Sequence, residues 1–291
     1  MTSSPSSFVS ATDGMQIVTH SWTQAAEPVK GVVQIAHGLA EHAARYDRLA
    51  RALNAAGFLT YAADHRGHGQ TGQDNLGDFG AGGWDGLIAD VVQYGALLAD
   101  EHPGLPLFLV AHSMGSFAAQ SAILEHSAQY AGVVLSGSTA LDVLAANMAQ
   151  SEGPAGLEAF NAGFEHRTGY EWLSRDETEV DKYVADPWCG FETPPETIPM
   201  LFAHAEELAQ VQSLARIRPD MPLLITSGSN DPLAGGGQLV ALLAQRYQGA
   251  GLTDVTLTVY EDARHEIFNE TNRDEVTADV IRWLTARAGG S

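Results

Sequence analysis

The stretch Leu107-Phe-Leu-Val-Ala-His-Ser113-Met-Gly115-Ser-Phe-Ala-Ala-Gln120 changes character at Ser113. Its first half is apolar and typical of a buried strand, and its second half is rich in small residues and typical of a helix. A strand that turns abruptly into a helix leaves the turn residue strained and exposed, and small residues two positions to either side let the backbones pass. Ala111 and Gly115 are those small residues. The pattern therefore predicts a nucleophile elbow with Ser113 at its tip, in which alanine replaces the usual first glycine.

Short apolar runs alternate with longer helical patterns from about Val29 onward, which is typical of crossover units and a largely parallel sheet. The predicted strands are residues 32–36, 59–63, 107–111, 133–136, 223–226 and 255–259. The predicted helices are residues 46–56, 84–101, 116–127, 237–248 and 272–287. Residues 8–10 and 16–21 flank Asp13-Gly14, a hairpin signal that predicts an antiparallel edge. We expect an α/β fold with a mostly parallel central sheet flanked by helices.

The alternation stops between residues 140 and 219, a gap too long for an ordinary connecting loop. The gap contains helical patterns of its own, notably over residues 196–217, and irregularly spaced aromatic residues. These are Phe160, Phe164, Trp172, Tyr183, Trp188, Phe191 and Phe202. We predict a core of residues 1–139 and 220–291, with a mainly helical cap, residues 140–219, inserted over a pocket.

Composition and charge restrict the partners of the chain. It has 291 residues, 45% of them hydrophobic, and a formal net charge of −21, as expected for an acidic globular protein with a sizeable core. This negative net charge repels phosphate backbones and anionic membranes. We therefore expect no nucleic-acid partner and at most transient contact of the cap with lipid surfaces. We find neither a secretory signal nor an apolar run long enough to span a bilayer. The single cysteine, Cys189, predicts a reducing compartment, so we expect a cytoplasmic protein in which this thiol has a packing role.

A serine hydroxyl is a weak nucleophile, so the elbow requires a histidine to take its proton and a carboxylate to orient that histidine. In folds with this elbow, the acid follows a later strand and the histidine follows the last one. Asp231 and His265 occupy those positions. Each could instead be an ordinary loop residue, but their order and context favour a triad of Ser113, Asp231 and His265. Asp262 is a rival acid that lies too close to His265 along the same loop.

A tetrahedral intermediate requires backbone N–H donors, usually one from the residue after the nucleophile and one from the loop after an early strand. Met114 is expected to supply the first. The second is expected from Leu39 in His37-Gly38-Leu39, where the glycine lets the chain turn. We predict that His37 braces this loop by hydrogen bonds.

Four motifs, spread over nearly the whole chain, resemble those of the α/β-hydrolases of the monoacylglycerol lipase and lysophospholipase-like group, often classed with the serine aminopeptidases. They are His37-Gly-Leu-Ala-Glu-His42 with Arg45-Tyr46, Asp64-His-Arg-Gly-His-Gly69, His112-Ser-Met-Gly115, and the Asn230-Asp231 and His265 loops. The similarity extends to Asp181-Lys-Tyr-Val-Ala-Asp-Pro187 in the predicted cap. The resemblance implies an α/β-hydrolase fold and a serine hydrolase that needs no cofactor.

The resemblance also implies that Glu41 and Arg45 contact the glycerol head of the substrate. The alternative is an ordinary ion pair at a helix start. Glycerol-binding members tend to have a histidine three residues after the catalytic one, where this chain has Phe268. A strict monoglyceride preference therefore does not follow from the motifs.

Asp64, His65 and His68 could also be interpreted as a metal site. Their spacing matches neither HExxH nor a zinc-finger pattern, and in the resembled group this turn is structural. We therefore expect no metal here.

The sequence favours hydrolysis of acyl esters such as monoacylglycerols or lysophospholipids through an acyl-enzyme. An aminopeptidase or amidase would use the same triad, with Glu41 and cap carboxylates as the acidic pocket for a free amino terminus. A ligand-binding protein that keeps the hydrolase shell is a third alternative, which the intact triad disfavours.

Overall fold

The computed structural model describes residues 4–150 and 157–289. Residues 151–156 of the predicted cap lie outside these ranges. Residues 1–3 and 290–291, at the two ends of the predicted core, lie outside them as well.

Eight strands form one sheet in the order β1-β2-β4-β3-β5-β6-β7-β8. The strands are β1 (Ser4–Val9), β2 (Gln16–Trp22), β3 (Gly31–Ala36), β4 (Phe58–Ala63), β5 (Leu107–His112), β6 (Gly132–Ser136), β7 (Leu223–Gly228) and β8 (Val255–Tyr260). Pairing is antiparallel for β1–β2 and β2–β4 and parallel from β4 through β3 to β8. The expected mostly parallel sheet with an antiparallel edge is confirmed.

Ten α-helices accompany the sheet within the described ranges. They are α1 (Asp47–Ala55), α2 (Gly83–Glu101), α3 (Met114–His126), α4 (Leu141–Gln150), α5 (Glu177–Ala185), α6 (Thr197–Leu201), α7 (Ala205–Leu208), α8 (Val211–Leu214), α9 (Gln238–Gly249) and α10 (Arg273–Ala288). The five helices predicted between strands correspond to α1, α2, α3, α9 and α10 within one or two residues at each end.

Two apolar clusters cover the two faces of the sheet. Side chains on a strand point alternately to opposite faces, so Leu109 and Ala111 of β5 join the cluster of α2, α3 and α9, whereas Phe108 and Val110 join that of α1 and α10. Helices on both faces bury the inner parallel strands β3, β5, β6 and β7, which explains why their sequences are largely apolar, whereas β8 at the sheet edge is only partly buried.

The chain between β6 and β7 is helical but less regular than predicted. The pattern over residues 196–217 forms three short helices, α6, α7 and α8, because the chain turns at residues 202–204 and again at 209–210. Its apolar residues still pack inward, and Leu201, Leu208 and Leu214 are buried. The helical pattern predicted over residues 196–217 is therefore present as three short helices.

Within the described residues, none of the helices combines the length and the hydropathy that a bilayer crossing requires.

Candidate active site

Ser113 lies at the turn between β5 and α3 with φ 50° and ψ −122°. A non-glycine residue with positive φ is strained by about 1–3 kcal/mol, so the surrounding packing must hold it in place. Its amide donates to the carbonyl of Ser136, at 2.9 Å. A methyl group on Gly115 would lie 2.3 Å from the carbonyl oxygen of Ala36, which explains the glycine at this crossing. The strand–turn–helix geometry expected of a nucleophile elbow is therefore present, and Ser113 is partly exposed.

Asp231 and His265 meet at the carboxyl ends of β7 and β8. His265 Nδ1 lies 3.0 Å from Asp231 Oδ2, and both side chains are buried. The other oxygen, Oδ1, accepts the Leu233 amide at 2.9 Å. Asp262, the rival acid, lies in an exposed turn with φ 59°, where its amide donates to Ser229. The geometry therefore pairs His265 with Asp231.

The loops that carry these two residues approach each other closely. The Asn230 amide donates to the carbonyl of Ala263, at 2.9 Å. A methyl group on Gly228 would lie 2.0 Å from that carbonyl oxygen. Gly228 therefore permits the approach that brings acid and base together.

His265 packs between two rings. The imidazole lies 4.8 Å from that of His112, the residue before Ser113, and 4.8 Å from the Trp172 ring. Burial would lower the pKa of His265, but the carboxylates of Asp231, Glu266 and Glu41 raise it above its usual value. Burial, reinforced by His265, lowers the pKa of His112 to about 3, so His112 is a neutral neighbour.

The oxyanion loop, residues 37–41, joins β3 to the following short helical turn. The Gly38 amide donates to Glu41 Oε1 at 2.6 Å, and the Ala40 amide donates to His68 Nε2 at 3.1 Å. The Leu39 amide between them has no acceptor among the residues that the structure describes. Met114 is the first residue of α3, and a helix leaves its first amides without intrahelical acceptors. The two predicted oxyanion donors therefore remain available to a ligand.

Two neutral histidines, His37 and His68, hold this loop by hydrogen bonds, and the ring of a third, His65, packs 4.2 Å from that of His37. His37 Nδ1 donates to the carbonyl of Gly38, at 2.8 Å, and its Nε2 accepts the amide of His65. His68 Nδ1 donates to the carbonyl of Arg66, which leaves its Nε2 as an acceptor for Ala40. Burial lowers the pKa of His65 to about 3 and that of His68 to about 4, so both are neutral. The bracing role expected for His37 is what its hydrogen bonds show.

Glu41 and Arg45 lie in a buried ionic network. Arg45 donates to Glu41 Oε2 at 2.6 Å and, through both terminal nitrogens, to Glu266 at 2.6 and 2.8 Å. Tyr46 donates to Glu41 Oε1, the oxygen that also holds Gly38. Burial raises the pKa of Glu41, whereas Arg45 lowers that of Glu266 despite its burial.

The substrate contact predicted for Glu41 and Arg45 stays a prediction. Neither residue lines the pocket that contains Ser113. Glu41 is 3% exposed, and its carboxylate already has Gly38, Arg45 and Tyr46 as partners. Through these bonds Glu41 and Arg45 connect the oxyanion loop to Glu266, the residue after His265.

A small apolar pocket with a cavity volume of about 40 Å³ lies at Ser113. Leu39, Ser113, Met114, Phe117, Leu144, Met148, Leu157, Phe160, Trp172, Ile198, Leu201, Phe202 and Leu233 line it. No lining residue carries a charge, and more than half of them come from the chain between β6 and β7. The pocket therefore suits an uncharged, largely apolar group attached to an electrophilic carbon at Ser113.

The interpretation of Asp64, His65 and His68 as a metal site has little support from the geometry. Both ring nitrogens of His68 are engaged by backbone groups, and Asp64 accepts from His20 and from two backbone amides. A different set, His42, Asp186 and Cys189, brings one ligand-type atom each within 4.8 Å of the others. His42 Nε2 already lies 2.9 Å from Asp186 Oδ2, and burial raises the pKa of the Cys189 thiol, which opposes the thiolate that a metal requires.

The comparison with known families agrees with this geometry. A family model described as serine aminopeptidase, S33, matches residues 27–272. The chain belongs to the serine aminopeptidase S33 family. The resemblance predicted from the four motifs is confirmed.

Three known proteins are similar to this chain over most of their length. A monoacylglycerol lipase of Mycolicibacterium smegmatis is 32% identical over 280 residues, with 94% of both chains covered. The monoglyceride lipase of Homo sapiens is 31% identical over 298 residues, which cover 94% of this chain and 88% of the human one. The structure of a thermostable carboxyl esterase from Bacillus coagulans, in complex with glycerol, superimposes with a TM-score of 0.85 at 28% identity and covers 99% of both chains.

Several residues of the site were not predicted as such from the sequence. Glu266 completes the ionic network, Trp172 packs on the imidazole, and Tyr183 donates a hydrogen bond to the carbonyl of Ala40. Trp172 and Tyr183 were recognised only as aromatic residues of the cap. The one available signal was the motif around Tyr183 and Asp186, which gives no indication of the contact partner.

Proposed function

We propose that the protein is a serine carboxylester hydrolase that cleaves monoacylglycerols and related acyl esters. The observation that carries the proposal is the strained Ser113 in the lining of an uncharged pocket, with the imidazole of the buried Asp231–His265 pair 4.8 Å from the ring of His112, the residue before Ser113. The monoacylglycerol lipase and monoglyceride lipase relatives, and the esterase of similar structure, support ester substrates.

In the proposed mechanism, His265 removes the proton from the Ser113 hydroxyl as the oxygen attacks the ester carbonyl. Asp231 holds Nδ1 of the ring and stabilises the imidazolium. The amides of Leu39 and Met114 bind the oxyanion. His265 then protonates the departing alcohol, and water activated by the same histidine hydrolyses the acyl-enzyme.

The chain between β6 and β7, residues 140–219, is proposed to be the cap that shapes the acyl pocket. Each buried CH₂ of an acyl chain contributes about 0.8 kcal/mol, so an apolar wall favours substrates with an extended chain. Aminopeptidase activity is disfavoured because the pocket lining carries no acid for a free amino group and Glu41 is already paired. Lysophospholipids remain within the proposed ester class.

The nucleophile is tested with Ser113→Ala. We expect turnover of p-nitrophenyl butyrate and of 1-monoacylglycerol to fall by at least about 10⁴-fold, because the acyl-enzyme cannot form. Ser121→Ala is the matched control, since Ser121 lies on α3 and its buried hydroxyl has no partner within the described structure. A fluorophosphonate should label wild-type protein on the peptide that contains Ser113. Labelling elsewhere, or full activity of Ser113→Ala, would refute the proposal.

The substrate class is tested by comparing p-nitrophenyl esters, monoacylglycerols and lysophosphatidylcholine with aminoacyl p-nitroanilides. We expect kcat/KM for the esters to exceed that for the anilides by orders of magnitude. The reverse order would favour the aminopeptidase.

A further inference from the structure

The carbonyl of Ala40 is held by a segment distant in the chain. The Tyr183 hydroxyl donates to this oxygen at 2.8 Å, and the Gly190 amide donates to it at 3.0 Å. Two residues further along, His42 Nε2 lies 2.9 Å from Asp186 Oδ2. The segment 183–190 thus makes three bonds to the chain that follows Leu39.

Ala40 requires such support because its φ is 53°, a conformation that alanine adopts only under constraint. Its two neighbouring peptides are fixed as well: His68 holds the Ala40 amide, and His37 holds the Gly38 carbonyl, whose peptide contains the Leu39 N–H. The orientation of the Leu39 N–H therefore depends on three consecutive peptides. Only the last of them is held from the chain between β6 and β7.

Tyr183 is itself rigidly placed. It is 2% exposed, its ring packs 5.0 Å from that of Tyr170, and the Arg45 guanidinium lies 4.9 Å above it. Tyr170 in turn donates to the Gly190 carbonyl, at 3.0 Å. Because water has no access to this bond, its loss leaves the Ala40 carbonyl with one partner fewer in a buried place.

We propose that Tyr183 is a positioning residue for the oxyanion hole, and that segment 183–190 holds the Leu39 N–H in the direction of the developing oxyanion. This inference rests on the proposed ester hydrolysis and assigns the inserted chain a part in building the catalytic apparatus as well as the pocket. Tyr183 does not touch the substrate and acts through Ala40.

The test variant is Tyr183→Phe. It deletes the hydroxyl and keeps the ring beneath the Arg45 guanidinium. We expect kcat for p-nitrophenyl butyrate to fall about tenfold while KM stays within about twofold, because the loss is confined to the transition state. Affinity for an alkyl trifluoromethyl ketone, whose hemiketal oxygen occupies the oxyanion hole, should fall by the same factor. Inhibition by the product fatty acid should not change.

The control is Tyr260→Phe at the end of β8, which removes a hydroxyl that donates a hydrogen bond to Asp279 at 3.0 Å. It should leave kcat and the trifluoromethyl ketone affinity unchanged. Asp186→Asn is the second test variant, since it weakens the bond to His42 at a partly exposed site, and kcat should fall severalfold at constant KM. It also tests the segment if Tyr183→Phe does not fold.

Unchanged kcat in folded Tyr183→Phe, or a loss confined to KM, would overturn the positioning role. Unchanged kcat in Asp186→Asn would show that the rest of segment 183–190 does not position the Leu39 N–H. Fluorophosphonate labelling of Ser113 in the wild-type protein separates the two failures, because it reports the nucleophile and is independent of Tyr183.

Discussion

Asp231 and His265 are 34 residues apart in the chain, and their side chains meet at 3.0 Å because β7 and β8 are parallel neighbours whose loops leave the same edge of the sheet. Both side chains are buried, so the carboxylate has no water to replace its bond to the imidazole. Asp231 Oδ1 is occupied by the Leu233 amide, which fixes the carboxylate with Oδ2 towards the ring. The pair is therefore oriented before any substrate binds.

Asp231→Asn should reduce kcat for p-nitrophenyl butyrate by about 10⁴-fold without unfolding the protein. The amide can donate to Nδ1, which would favour the tautomer that cannot accept the serine proton. Asp262→Asn is the control, because Asp262 is the other acid of this region and is exposed. The assignment of Asp231 would be withdrawn if Asp262→Asn were the more damaging change.

Much of the fold could be predicted because strands and helices have local signatures. The apolar runs that became β3 to β8 are short and bounded by turn residues, and Asp13-Gly14 forms the turn between β1 and β2. The proposed triad was assigned from the order in which its members follow strands. Residues 196–217 were harder, since an apolar period of 3.6 fits three short helices as well as one long helix.

Some contacts of Glu41, Arg45 and Tyr183 could not be predicted because they join residues distant in the chain. An i,i+4 spacing indicates that Glu41 and Arg45 can pair, but the sequence does not indicate that Glu266 completes the network. The Tyr183 hydroxyl finds the Ala40 carbonyl 143 positions away. The Glu266 contact depends on the position of the loop after β8, and the Tyr183 contact depends on the packing of the chain between β6 and β7.

Glu266→Gln should change the pH dependence of activity. Burial lowers the pKa of His265, and Asp231, Glu266 and Glu41 together raise it above 6.5, so removing one of these charges lowers it. The neutral imidazole is the active base, and activity is lost as pH falls through this pKa. The acidic limb of the kcat/KM profile should therefore move to lower pH in the variant.

The matched control for this profile is Glu275→Gln on α10, an exposed carboxylate that should leave the limb in place. Movement of the limb to higher pH in Glu266→Gln would contradict the electrostatic account. Thermal melting of both variants would establish that the comparison concerns folded protein.

Gly228→Ala should destabilise the protein by about 1–3 kcal/mol and reduce activity, because the added methyl group would lie 2.0 Å from the Ala263 carbonyl and force the acid and histidine loops apart. Urea unfolding measures the first effect and ester turnover the second. Gly249→Ala, at the end of α9 where a methyl group meets nothing within 4 Å, should be neutral or slightly stabilising. Equal stability of the two variants would show that the loops do not approach as closely as described.

Met148→Trp should change chain-length preference. Met148 lines the pocket from α4 and is only partly buried, so a larger ring can extend into the pocket without overpacking the core. Each acyl CH₂ excluded from the pocket should cost about 0.8 kcal/mol, or about fourfold in kcat/KM. In a p-nitrophenyl ester series, short chains should therefore be hydrolysed as by the wild type, and long chains progressively less well.

Leu97→Trp, on the exposed face of α2, controls for surface hydrophobicity and should leave the series unchanged. A uniform loss across all chain lengths in Met148→Trp would instead place the acyl chain outside this pocket.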